Sequence, residues 1–375
     1  MGSTGGLERE GGSGPARRGR NRRRQRRRGA HAAQDEPVYS ALDLGTNNCR
    51  LLIARSTPDG FKVIDAFSRI VRLGEGLGQS GLGSAVRLTD AAVERTLDAL
   101  KVCADKIRRR GVTHKRNVAT EACRRAVNGA SFLARVAAET GLELEVISTD
   151  EEARLAMAGC VSLLDPRVPK ALLFDIGGGS TELIWLEVPP AASTPAANAP
   201  NARAPLPEMI ASISLPLGVV NLAERYGGRH VSPEAYRAMV EEVAAALASF
   251  DGAHGIERQV ARGQVQMLGT SGTVTTLAGV HLELPRYDRA RIDGAFLDFP
   301  AMYAARDRLC AMSYEARVAH PCVGPERADL VIAGLAILDA ICRLWPVGRL
   351  RVADRGLREG ILIGLMRGAP AHAEA

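Results

Sequence analysis

An internal repeat constrains this chain more than any other feature. Asp43-Leu-Gly-Thr-Asn-Asn-Cys-Arg-Leu-Leu aligns without a gap on Asp175-Ile-Gly-Gly-Gly-Ser-Thr-Glu-Leu-Ile. Each copy reads as an apolar strand ending in Asp, a tight turn with Gly two residues on, hydroxyl or amide side chains, and a second strand. A hairpin made twice predicts two related lobes facing each other across a cleft.

The surroundings of the two copies also correspond. Val38–Asp43, Arg50–Arg55 and Phe61–Val71 have strand patterns separated by Gly-containing turns, and the same opening returns at Ala171. Thr89–Arg109 has helical periodicity with Thr89 placed as N-cap. Strand-like Lys115–Thr120, helical Gly129–Glu139, strand-like Leu142–Ile147 and helical Asp150–Leu163 follow. After the second hairpin come helices, a strand at Val265–Gly269 and further helices to Leu344. This alternation predicts an α/β architecture of two halves. The expected lobes are residues 38–167 and 168–355, with a C-terminal helix at 356–366 packing back on the first. The Pro/Ala/Asn-rich stretch 189–207 lies between strand-like Thr181–Val188 and Glu208–Leu215 and is expected to be a long hairpin tip.

Hydrophobic residues at 46% suffice for a core in each half, while aromatics at 4% argue against a nucleic-acid binder built on base stacking. The formal net charge of +7 describes one segment only. Residues 1–37 hold ten arginines against four acidic residues, a surplus of six that leaves about +1 for everything else. That segment has almost nothing apolar to bury and is expected to be disordered. Its charge suits weak contact with polyanions or RNA. Seven scattered cysteines, with no CxxC pair and no Cys/His cluster, exclude a disulfide scaffold and a structural zinc site. The apolar run from Leu330 to Trp345 is interrupted by Asp339 and Arg343, so no membrane span is expected. No apolar segment follows the arginines as it would in a secretory signal, and a cytoplasmic protein is the expectation.

Three turns have the composition of phosphate sites: Gly45-Thr46-Asn47-Asn48, Gly177-Gly178-Gly179-Ser180-Thr181, and Gly269-Thr270-Ser271-Gly272-Thr273. Each follows an apolar strand, and Gly lets backbone N–H groups approach an anion closely. The third also opens a helix, whose N-terminus favours negative charge. One such turn is ordinary; three, two of them with an Asp in register, point to a site. Asp43 and Asp175 end strands that read as buried, where an ionised carboxylate needs a partner or a metal. Glu182 starts the strand after the second turn. Mg²⁺ at phosphate sites uses one or two carboxylates. Asp150-Glu151-Glu152-Ala153-Arg154 opens a helix, where acids also complement the dipole. Arg124 and Arg125 follow a short strand and carry groups suited to bidentate phosphate contacts.

With Asp354-Arg-Gly-Leu-Arg-Glu-Gly-Ile-Leu362, these motifs resemble the exopolyphosphatase / guanosine pentaphosphate phosphohydrolase family in order and spacing, from about Val38 to Leu365. The Asp-Ile-Gly-Gly-Gly-Ser-Thr-Glu run with its upstream Glu-Glu-Ala-Arg is the specific part. The first turn alone marks only the wider actin-like phosphotransferase fold. The resemblance implies two actin-like (ribonuclease-H-like) lobes with the active site in the cleft between them. It also implies magnesium-dependent hydrolysis of the terminal phosphate of polyphosphate or guanosine pentaphosphate. By position, Glu152 matches the catalytic base, and Asp175 and Glu182 match the acidic residues around metal and water, with Asp43 a third metal candidate. The first two turns match phosphate loops, and Arg124 matches a substrate-side arginine. Asn48 stands where the family more often has Ser. The chain stops soon after Leu362, so the short two-domain form is expected, with a homodimer as one assembly open to it.

Two other readings stay open. Guanosine pentaphosphate 5′-phosphohydrolysis is one candidate for the main activity. The other is a non-catalytic sensor of polyphosphate or guanosine tetraphosphate. Crowding Glu152, Asp175 and Glu182 into one site counts against the sensor, because binding a polyanion gains nothing from added negative charge.

Overall fold

The computed structural model describes residues 37–58, 60–77, 86–190 and 206–368. The arginine-rich segment before Pro37 and residues 191–205 of the expected hairpin tip lie outside them. From Val38 onward the chain builds two sheets with one strand plan. The first contains β1 (Val38–Leu44), β2 (Asn48–Thr57), β3 (Gly60–Ile70), β4 (His114–Ala119) and β5 (Glu145–Val146), in the order β3-β2-β1-β4-β5. The second contains β6 (Lys170–Ile176), β7 (Thr181–Glu187), β8 (Glu208–Leu215), β9 (Val265–Thr270), β10 (Phe296–Asp298) and β11 (Arg349–Ala353). Its order is β8-β7-β6-β9-β11, with β10 added antiparallel at the edge. In both sheets the first three strands form an antiparallel meander and the fourth runs parallel to the first. This is the duplicated α/β architecture that the repeat predicts.

A parallel neighbour requires a crossover, and helices supply it. In the first lobe α1 (Asp90–Arg109) starts at Thr89, whose hydroxyl accepts from the Ala92 N–H at 3.2 Å. Its apolar side, with Leu97, Leu100 and Cys103, joins Leu42, Leu44, Leu51 and Ile53 of the sheet in one core. Two short helices, α2 (Glu121–Arg125) and α3 (Gly129–Thr140), follow β4. Next comes α4 (Thr149–Cys160), capped by Ser148 through the Glu151 N–H. The second lobe is covered by α5 (Val219–Tyr226), α6 (Pro233–His254), α7 (Gly272–His281) and α8 (Val331–Leu344). Almost every side of α8 is buried, and Asp339 within it is matched by Arg306, Arg343 and the Tyr236 hydroxyl. No helix among the described residues is long and apolar enough to cross a membrane.

The chain end returns to the beginning. In α9 (Leu357–Met366), Leu357, Ile361 and Leu362 pack with Ala41, Leu52 and Val118 of the first sheet. This helix lies so close to α4 that a Cβ on Gly159 or Gly360 would collide with the other helix's backbone. Two expectations are corrected. The strand expected over Leu142–Ile147 shrinks to Glu145–Val146, because the Asn117 amide takes the Glu143 carbonyl at 3.1 Å in place of a ladder bond. The helix expected to reach Leu163 ends at Cys160 and tightens into a 3₁₀ turn at Val161–Leu163.

Candidate active site

The two hairpin turns are closed by the same bond. Gly45 N–H donates to the Asn48 carbonyl and Gly177 N–H to the Ser180 carbonyl, each at 2.9 Å. Behind both turns, further carbonyls are taken. Thr46 and Asn47 accept from Gly74, Val71 and Arg72; Gly177 and Gly178 accept from Val219 and Val220, and Gly179 from the Asn221 amide at 2.7 Å. The N–H groups of Thr46, Asn47, Gly178, Gly179 and Ser180 have no protein acceptor among the described residues. Each turn is therefore a small nest of unsatisfied donors, the arrangement that takes an anion. The nests face each other closely: a Cβ on Gly178 would stand 2.9 Å from Asn47 Cβ, and one on Gly179 would stand 2.7 Å from Thr46 Oγ1. Only glycine permits that approach.

Between and beside the turns lies a cavity of about 130 Å³, lined from both lobes. That is room for one phosphate group and a few waters, a water's share being roughly 30 Å³. Asp43, Arg50, Glu152, Asp175 and Glu182 reach it. Asp43 and Arg50 are cross-strand neighbours on β1 and β2, and Asp175 and Glu182 hold the same relation on β6 and β7. Glu182 Oε1 accepts from the Ser180 hydroxyl at 2.6 Å and the Ser214 hydroxyl at 3.0 Å. Glu152, on the first turn of α4, is held through Oε2 by Arg124 Nη1 and Nη2 at 3.3 and 3.2 Å.

Burial and mutual repulsion raise these carboxylates together. Burial pushes Asp175 up to about 6, with Asp43 adding to the rise and Arg50 opposing it. Glu182 is pushed up to about 7 by burial and then by Asp175, against the pull of its two hydroxyl donors. Glu152 lies well above its ordinary range, first through burial and then through Glu182, with Arg124 opposing. Asp43 is raised by burial, less so for the nearby Arg50 and Arg358. Carboxylate oxygen is the donor chemistry a hard cation needs, and the cross-strand pair Asp175 and Glu182 could supply it. Among the described residues no three carboxylates, cysteines or histidines form a cation cage. An ion here would fill its shell with water and substrate phosphate, as Mg²⁺ commonly does.

Not every expected residue comes to the cleft. Arg124 does not line it: its guanidinium is engaged by Glu121, Glu152 and the Ile147 carbonyl. The Thr181 hydroxyl donates to the Leu217 carbonyl at 2.7 Å. Gly269 sits against the Phe174 ring, where a Cβ would stand 2.5 Å away, and the Thr270 hydroxyl donates to the Arg355 carbonyl. From that third turn Ser271, Gly272 and Thr273 do line the cavity, and Ser271 has φ 126°, a region that favours glycine. The lining also includes Arg50, Glu121, Thr276 and Arg327, which sequence reasoning missed. Arg50 carried a signal, its place in the repeat opposite Glu182. Arg327, in the loop before α8, carried none.

A two-lobed α/β cleft with paired anion nests and a cluster of carboxylates defines a phosphate-handling enzyme of the actin-like fold. Residues 52–369 match the Ppx/GppA phosphatase family, and the chain belongs to that family. It is thus a phosphoanhydride hydrolase. It is 29% identical to Exopolyphosphatase 2 of Mycobacterium tuberculosis over 87% of this chain and 98% of that protein. It is 28% identical to the guanosine-5′-triphosphate,3′-diphosphate pyrophosphatase of Aeromonas hydrophila over 88% of this chain, but spans only 60% of that protein. Among solved structures, the Ppx/GppA family member of Aquifex aeolicus superposes with a TM-score of 0.67 at 27% identity, over 90% of this chain and 99% of its own. An exopolyphosphatase from Cytophaga hutchinsonii reaches 0.76 at 23% identity, over 90% and 100%, and shares the fold.

Proposed function

We propose that the cleft hydrolyses the terminal phosphoanhydride bond of inorganic polyphosphate by in-line attack of water on phosphorus. The observation that carries this reading is the setting of Glu152: Arg124 clamps Oε2, while Oε1 has no protein partner among the described residues. Oε1 is then available to take the proton of a water as its oxygen bonds to phosphorus. The free N–H groups of Thr46, Asn47, Gly178, Gly179 and Ser180 would donate to the phosphoryl oxygens, where charge is concentrated in the transition state. Arg50 adds positive charge at the same wall of the cavity. Mg²⁺ held by Asp175 and Glu182, with Asp43 beside them, would neutralise charge on the phosphoryl oxygens and the departing chain. Orthophosphate and a chain one unit shorter are the products. Arg124 acts as a positioning residue for Glu152.

Guanosine pentaphosphate 5′-phosphohydrolysis is the alternative, favoured by the likeness to the Aeromonas pyrophosphatase. Both substrates present a terminal phosphoryl group to the cleft. A cytoplasmic setting, a homodimer and polyanion contact through residues 1–37 belong to the same proposal. Phosphate release with magnesium, compared as kcat/KM for long polyphosphate and guanosine pentaphosphate, tests it. A higher value for polyphosphate is expected; a higher value for the nucleotide selects the alternative, and no release from either would overturn both.

A further inference from the structure

A second cavity, of about 650 Å³, lies within the second lobe and shares no lining residue with the cleft. Five arginines line it, Arg229, Arg237, Arg306, Arg317 and Arg343, against Asp307 as its only acidic lining residue among those described. Three of the five are already matched. Arg306 reaches Asp307 at 2.7 Å and Asp339 at 3.0 Å, Arg343 reaches Asp339 at 2.7 Å, and Arg237 reaches Glu234 at 3.1 Å. Arg229 and Arg317 have no carboxylate partner among the described residues.

Arg317 is the informative one. It is 4% exposed, and the single hydrogen bond of its guanidinium runs from Nη2 to the Arg229 carbonyl at 2.6 Å. Nε and Nη1 are buried without an acceptor. A buried guanidinium with two unmet donors is costly unless an anion completes it. Burial also pulls its pKa down, and the more distant Asp329 and Glu315 carboxylates offset that only in part. The Tyr314 ring collects both arginines, with Arg229 at 5.2 Å and Arg317 at 6.0 Å from its centroid. Two hydroxyls stand in the same lining, Ser232 and Ser313; they accept from the Ala235 and Ala316 N–H groups and donate to the Glu234 and Glu315 carboxylates, so the arginines are the groups left for a ligand.

We propose that this cavity is a second anion site, in which Arg317 and Arg229 bind a phosphate oxyanion. Guanidinium forks pair with phosphate oxygens two at a time, and a multiply charged tetrahedral anion can engage both arginines at once. The proposal is independent of what the cleft hydrolyses. Its ligand is free orthophosphate or one phosphoryl unit of a phosphoanhydride chain.

Equilibrium dialysis of the full-length protein against orthophosphate, and against methylenediphosphonate, which is not hydrolysed, distinguishes these. Arg317→Met is expected to lose one bound equivalent relative to wild type. Arg229→Ala alters an exposed side chain and leaves the buried packing intact; it should weaken the same equivalent roughly tenfold, the loss of one charge-assisted contact. An effect with both probes identifies orthophosphate as sufficient; an effect with the diphosphonate alone identifies a chain. Unchanged stoichiometry and affinity for both probes in Arg229→Ala would overturn the site, whether or not Arg317→Met folds.

Discussion

Seven residues after its strand-ending Asp, the first hairpin carries Arg50 and the second carries Glu182, each directly across the strand pair from that Asp. The backbones agree down to the 2.9 Å bond that closes each turn. The chemistry does not. Arg50 opposes the rise of both Asp43 and Asp175, whereas across the second hairpin Asp175 adds to the rise of Glu182. Duplication thus supplies two equivalent anion nests, and divergence at one register position gives the cleft a cationic wall and an acidic one. The acidic wall suits a metal and the cationic wall suits phosphate oxygens.

The largest effect expected from breaking that asymmetry is at Glu182. Glu182→Gln keeps the hydroxyl contacts sterically but removes the charge. It should lower magnesium-supported phosphate release by about 100-fold or more, with the magnesium concentration needed for half-activity rising. An unchanged magnesium dependence would separate Glu182 from the cation. The matching change on the other wall, Arg50→Met, should raise KM for polyphosphate roughly tenfold, the loss of one charge-assisted contact, with a smaller effect on kcat. An equal fall in kcat with KM unmoved would place Arg50 on the transition state alone.

The electrostatic side of the comparison is open to titration. Glu182 in the fold holds its proton up to about pH 7, well above an ordinary glutamate, so the folded state binds that proton more tightly than the unfolded chain. The resulting stabilisation is full below about pH 4 and is lost as pH rises through 7. Without divalent cations, Glu182→Gln should gain on wild type by roughly 1–3 kcal/mol between pH 5 and pH 8, read from urea midpoints. Parallel pH profiles for the two proteins would show that Glu182 is not strained by its surroundings.

The smallest effect compares the turns themselves. A Cβ at Gly178 would press on Asn47 at 2.9 Å, while one at Gly45 would meet only the Asn48 carbonyl at 3.7 Å. Gly178→Ala should cost about 1–3 kcal/mol by thermal or urea unfolding, and Gly45→Ala should stay within about 0.5 kcal/mol. Equal costs would mean that the lobes do not close as tightly as the turns indicate.

Local patterns carried most of the architecture. The Asp-x-Gly repeat announced both lobes because the hairpin is written in contiguous residues, and Thr89 marked the start of α1 through its capping chemistry. Sequence reading failed where a role depends on a distant partner. Arg124 looked like a phosphate ligand, and only its contacts with Glu121 and Glu152 show it holding a carboxylate. Gly269 looked like part of a phosphate turn, yet its lack of a side chain makes room for Phe174. Arg327 enters the cleft from a loop with no motif at all, and the arginines around Arg317 converge only through the packing of four separate segments.

The central claim is that Glu152 activates the attacking water. It is tested most directly by phosphate release from long polyphosphate by Glu152→Gln with magnesium present. The account predicts turnover roughly 10²–10⁴-fold below wild type, with KM little changed because Gln preserves the shape of the site. Full turnover in Glu152→Gln would contradict it and shift the role to Asp150 or Glu151 on the same helical turn, the latter paired with Arg116 of β4.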